Sequence, residues 1–109
     1  MKHLPEITNL LASPGAGPET IAELVQVGGV RLEQIISNGN GSEPDFWYDQ
    51  EQDEWVMLVR GEAVLEFEGG EMVELAAGDA LTIPAHGKHR VRSTSRDAIW
   101  LALHYPPQT

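Results

Sequence analysis

Hydrophobic and polar positions alternate along this chain in short runs separated by glycine-containing turns. The clearest run is residues 62–68, where Ala63, Leu65 and Phe67 share one parity and Glu62, Val64, Glu66 and Glu68 the other. Successive side chains of a strand point to opposite faces, so this period of two predicts a half-buried β-strand. Trp55 to Val59 is an unbroken apolar run closed by Arg60-Gly61, and Gly69-Gly70 turns the chain into Met72 to Leu75. Arg96-Asp97 turns it into a last strand, Ala98 to Tyr105, ended by Pro106-Pro107. The phase that buries Leu101 and Leu103 is preferred there, and it sends His104 outward.

Upstream, Ile21 to Val27 and Val30 to Ser37 flank Gly28-Gly29, which reads as a hairpin with a two-residue turn. A helix over Glu19 to Gln26 competes, because Glu, Ala, Leu and Gln favour helices; the hairpin is the preferred reading. Leu4 to Leu11 would make a short helical turn, and Ser13 to Pro18 is a loop by composition. The aromatics Phe46-Trp47-Tyr48 favour a strand, whereas Asp49 to Asp53 is too polar for a buried element. Some eight to ten short strands with little helix make this an all-β chain, a sandwich or barrel. Residues 1–19 form an N-terminal arm and residues 20–109 one β-barrel domain.

The stretch most suggestive of chemistry is Gly78 to Val91. Gly78-Asp79 is a turn, Leu81 and Ile83 share a strand face, and Pro84 closes that strand. Beyond a short loop, His89 and Val91 point one way while Arg90 and Arg92 point to water. An imidazole is thereby set on an apolar face.

Seventeen acidic residues against seven Lys and Arg give a net charge of −10, which disfavours phosphate backbones and so nucleic acid as a partner. Arg60 is the one base between Glu43 and Asp79, whereas Lys88, Arg90, Arg92 and Arg96 cluster afterwards. Either a basic strand faces an acidic one, within the molecule or across a dimer, or both are solvated faces. The second is favoured because exposed ion pairs contribute little. With no cysteine, thiol catalysis and thiolate metal sites are excluded. The N-terminus carries no apolar signal core and no run is long enough to span a membrane, so a cytoplasmic protein is expected. No nucleophile elbow, phosphate-cradling loop or dinucleotide fingerprint is present, and no nucleotide cofactor is expected.

Gly78, five residues, Pro84, and His89 after the loop resemble the second sequence motif of the cupins. Glu54, six residues, then Gly61 resemble the second half of the first motif. The resemblance covers about Gly41 to His104 and implies a double-stranded β-helix, or jelly-roll, barrel. It also implies an inward site in which Glu54 and His89 take the glutamate and last histidine positions of a metal centre. The two remaining positions, histidines in the family pattern, are Gln50 and Tyr48 here. Amide and phenol oxygens are weaker donors than imidazole for transition metals, so a weak or degenerate site is implied. The candidate ligands are Gln50, Glu54 and His89, for one divalent transition metal (Fe, Mn, Ni or Zn). The candidate pocket adds Tyr48 and His86, the latter at the motif's glycine position. Trp47, Trp55 and Trp100 are expected in the core.

Two functions stay open. One is a ligand-binding barrel for a small polar molecule. The other is a metal-dependent enzyme, an oxygenase or a sugar or small-molecule isomerase, using Glu54 and His89 at the metal. For an anionic substrate the bases near Lys88 to Arg96 would be available, although Arg90 and Arg92 are expected to face out. A homodimer paired through the N-terminal strands is also expected, since an uncovered edge hairpin invites pairing.

Overall fold

A computed structural model of the chain describes residues 4–11 and 19–108. Among these, eight strands form two antiparallel sheets: β1 (Thr20–Val27), β2 (Val30–Ile36), β3 (Asp53–Arg60), β4 (Glu62–Phe67), β5 (Met72–Ala76), β6 (Ala80–Ile83), β7 (His89–Thr94) and β8 (Ile99–Tyr105). The larger sheet has the order β1-β2-β8-β3-β6 and the smaller one β5-β4-β7. This is the all-β jelly-roll architecture, and the preferred hairpin at Gly28-Gly29 joins β1 and β2.

The core lies between the sheets. Val56 and Leu58 of β3, Ala63 and Leu65 of β4, Ile83 of β6 and Trp100 and Ala102 of β8 are buried there. Strand β8 sits in the middle of its sheet, hydrogen-bonded to β2 on one side and β3 on the other. Gly61, the last residue of the first motif, links β3 to β4 at φ 91°. A side chain there would collide with Ser95 Oγ and come within 2.9 Å of Ala98 Cα. The tight β3–β4 link therefore requires glycine.

Several sequence expectations are corrected. Residues 4–11 contain no helix; they are irregular, and the Leu10 carbonyl accepts a hydrogen bond from Gln34 Nε2 at 2.9 Å. The loop expected at Ser13 to Pro18 lies outside the described residues. Phe46-Trp47-Tyr48 is not a strand: Phe46 N–H donates to the Glu43 carbonyl in a turn, and only Tyr48 joins a sheet, by a single bridge to His89. Arg90 does not reach water. Residues 43–47 form a strap over the outer face of β7, and Arg90 is buried beneath it, its Nη1 donating to the Pro44 carbonyl at 2.8 Å and its guanidinium 5.5 Å from the Trp47 ring centroid.

Finally, the basic and acidic strands do meet. Glu66 and Arg90 are register partners on β4 and β7, and Arg90 Nε donates to Glu66 Oε1 at 2.9 Å. Lys88 lies 3.6 Å from Glu68 and Arg92 3.8 Å from Glu66, so much of the basic cluster is matched to acids of its own sheet.

Candidate functional site

Between the sheets lies a cavity of about 260 Å³. The larger sheet supplies Arg31, Glu33 and Ile35 from β2, Glu54 and Val56 from β3, Ile83 from β6, and Trp100 and His104 from β8. The smaller sheet supplies Leu65, His89, Val91 and Thr94, and the rim includes Glu19, Ile21, Ser37, Asn40, Tyr48 and Gln50. The spacing explains the wall: positions 31, 33 and 35, 54 and 56, 89 and 91, and 100 and 104 each share a parity, so each pair faces the same side of its strand.

His89 is fixed from several directions. Its backbone N–H and C=O both pair with Tyr48, at 3.1 and 2.7 Å. The Tyr48 ring stacks on its imidazole, with centroids 5.4 Å apart, and Phe67 lies on it at 6.0 Å. The Gly87 carbonyl lies 2.8 Å from Nδ1 and can only accept, so Nδ1 carries the proton and Nε2 keeps its lone pair. That nitrogen faces Glu54 Oε1 at 3.7 Å. Burial holds the His89 pKa below its usual value, outweighing the opposing effect of the Gly87 bond.

Glu54 is the buried carboxyl of the cavity, 8% exposed, and its Oε1 has no hydrogen-bond partner among the described residues. Burial first, and the Glu33 charge second, push its pKa up to about 7, against a smaller opposing pull from Arg31. Glu54 thus exchanges its proton near neutrality.

His104 faces inward, contrary to the phase expected from the sequence. Leu101 and Leu103 are half-buried on the other face, while Trp100, Ala102 and His104 are buried on the cavity side. Its Nε2 lies 3.2 Å from Glu33 Oε1 and 3.9 Å from Glu54 Oε2. Desolvation first, then Arg31, lower its pKa, partly offset by Glu33. Arg31 Nε in turn sits 3.1 Å from Glu33 Oε2. A chain of ionisable groups, Arg31–Glu33–His104–Glu54–His89, therefore crosses the cavity wall.

Of the residues proposed from the sequence, Tyr48, Gln50, Glu54 and His89 all line this cavity. His86 does not. It is exposed at φ 63°, with Nδ1 2.7 Å from Asp49 and its backbone N–H donating to the Gln50 carbonyl, a tie between two loops. Arg31 and Glu33 were not expected from the sequence, and His104, a candidate second nitrogen donor there, was expected to face out. Arg31 and Glu33 share their parity with Ile35 on β2, and His104 shares its parity with Trp100 and Ala102 on β8; that shared parity was the signal. Of the tryptophans, Trp100 is in the core, whereas Trp47 and Trp55 are half-buried.

As a metal site the cavity offers two strong donors not engaged by another charged group, the unpartnered Glu54 Oε1 and the His89 Nε2 lone pair, while Glu33 and His104 lie against each other at 3.2 Å. Tyr48 and Gln50 add only neutral oxygens and an amide nitrogen that does not coordinate. Among the described residues no group of three or more His, Cys, Asp or Glu side chains is arranged to hold a metal ion. The donor set fits a weak site at most.

The family model described as the cupin domain matches residues 32–104. No curated protein sequence matches the chain. Among solved structures, a protein of Ralstonia eutropha JMP134, provisionally named a mannose-6-phosphate isomerase, is 44% identical, with TM-score 0.87 over 94% of this chain and 99% of that one. A cupin superfamily protein of Desulfitobacterium hafniense DCB-2 is 20% identical, with TM-score 0.74 over 96% of each chain. KdgF from Halomonas sp. is 20% identical, with TM-score 0.71 over 84% of this chain and 81% of that one. The motif residues Glu54, Gly61, Gly78, Pro84 and His89 stand where the fold needs them, and the chain belongs to the cupin family.

Proposed function

We propose that this chain is a ligand-binding cupin whose barrel cavity takes a small polar molecule. The observation that carries the reading is the buried Glu54 Oε1, unpartnered and facing the wall of a mixed polar and apolar cavity. A buried acceptor without a donor is costly, and a ligand hydroxyl or amine would relieve that cost. His89 Nε2 supplies a second acceptor beside it. A divalent transition metal (Fe, Mn, Ni or Zn) would be held weakly, by Glu54, His89 and Gln50.

A thermal-shift panel of sugars, amino sugars and small amides tests the reading on the native chain and on a Glu54→Gln, His89→Ala variant. A compound that raises Tm in the former and not in the latter supports it. A panel that moves neither protein contradicts it.

A second reading is an isomerase of sugars or related small molecules, supported by the name of the 44% identical Ralstonia protein. Such a reaction moves a proton between neighbouring carbons. Glu54, with its pKa near 7, would carry the proton, and His104 or His89 would hold the substrate oxygens. The protein works as a homodimer paired through β1, whose Ile21, Val25 and Val27 are exposed along an edge strand.

A further inference from the structure

The charges on the cavity wall say more about the ligand than its size does. Among the described residues Arg31 is the one Lys or Arg on the wall, against the three carboxyls of Glu19, Glu33 and Glu54. Arg31 is already committed to Glu33 at 3.1 Å, and the other Glu33 oxygen to His104 at 3.2 Å. Glu19 and Glu54 are left without a Lys or Arg partner on the wall, and the two imidazoles beside Glu54, at 3.7 and 3.9 Å, are held toward their neutral forms by burial.

The bases that the sequence offered for an anionic substrate are elsewhere. None of Lys88, Arg90, Arg92 and Arg96 lines the cavity. Arg90 and Arg92 lie against Glu66 and Lys88 against Glu68, on the outer face of the smaller sheet. A phosphate inside would meet carboxyls at short range in a partly desolvated space, where like charges repel most strongly.

Among the described residues three buried side-chain atoms lack a hydrogen-bond partner, and two of them are acceptors that suit a cation: Glu54 Oε1 and His104 Nδ1, on residues 8% and 4% exposed. The third, Arg31 Nε, is a donor but already faces the Glu33 carboxylate at 3.1 Å. Trp100 and Tyr48 add aromatic surface to the same wall, which also suits a cation.

We infer that the cavity selects a small polyhydroxylated ligand bearing a protonated amine, held by Glu54 and Glu19, and rejects phosphorylated ligands. This rests on the ligand-binding reading above and narrows it.

Mannosamine, mannose and mannose 6-phosphate share one ring and differ in charge, so calorimetric titration of all three at neutral pH, with a chelator present, isolates the charge preference. Mannosamine is expected to bind about tenfold tighter than mannose, the scale of one charge-assisted hydrogen bond, and mannose 6-phosphate more weakly than either. Glu33→Gln frees the Arg31 guanidinium and is expected to narrow the gap between mannose and mannose 6-phosphate. Tighter binding of mannose 6-phosphate than of mannose by the native chain would overturn the charge inference and leave the ligand-binding reading standing. Binding of none of the three by folded protein would overturn both.

Discussion

Glu54 and His89 face each other at 3.7 Å from strands of opposite sheets, so the two motif residues farthest apart in sequence close the cavity between them. Both sit in surroundings that favour their neutral forms. Burial and Glu33 raise Glu54 to about 7, and burial lowers His89.

Stability should therefore depend on pH through Glu54. Its folded pKa is raised from 4.5 to about 7, so its contribution is fully present below about 4.5 and is lost as pH rises through 7. Glu54→Gln removes that loss. With chelator present, the variant should be more stable than the native chain at pH 8, by up to roughly 3 kcal/mol, and equal to it at pH 4. The lowered pKa values of His89 and His104 act in the other direction, removing stability as pH falls below about 6.5. Denaturant midpoints at the two pH values measure this; an unchanged difference would show that Glu54 is solvated.

Arg90 holds the strap that carries Tyr48. Replacing it with Met leaves the half-buried Glu66 with only Arg92, at 3.8 Å, and releases the Pro44 carbonyl. The loss should cost about 1–3 kcal/mol, below that of a fully buried pair, and thermal unfolding would register it. Because Tyr48 stacks on His89, ligand affinity should fall as well.

His86 is the opposite case. It holds φ 63°, a left-handed conformation that costs a non-glycine residue about 1 kcal/mol, and it lies outside the cavity wall. His86→Gly relieves that cost and gives up only an exposed pair with Asp49. Stability should be unchanged or higher by a few tenths to 1 kcal/mol, with ligand affinity preserved. A loss of affinity would place His86 at the ligand.

The uncovered edge β1, with Ile21, Val25 and Val27 exposed, predicts a sedimentation mass of two chains. Charged residues at Val25 and Val27, which do not line the cavity, should return it to one.

Much of this was legible because its causes are local. The period of two in Glu62 to Glu68 reports a sheet with one wet face, and the Gly78-to-His89 spacing reports a turn, a strand and a loop of set length. His104 was not legible because β8 is the middle strand of its sheet and is apolar on both parities. Leu101 and Leu103 look as inward as Trp100 and Ala102 until the neighbours β2 and β3 are placed. Arg90 was hidden for a different reason: what buries it is a strap some 45 residues earlier in the chain, and no periodicity encodes that contact. Tyr48 pairs through one bridge only, too little for a strand pattern to show.

The most direct test of the central claim is the metal content of protein purified without added metal, compared with the Glu54→Gln, His89→Ala variant. A ligand-binding barrel with two strong donors should carry far less than one equivalent of Fe, Mn, Ni or Zn, in both proteins. Near one equivalent in the native chain, lost in the variant, would contradict the account and establish a metal centre.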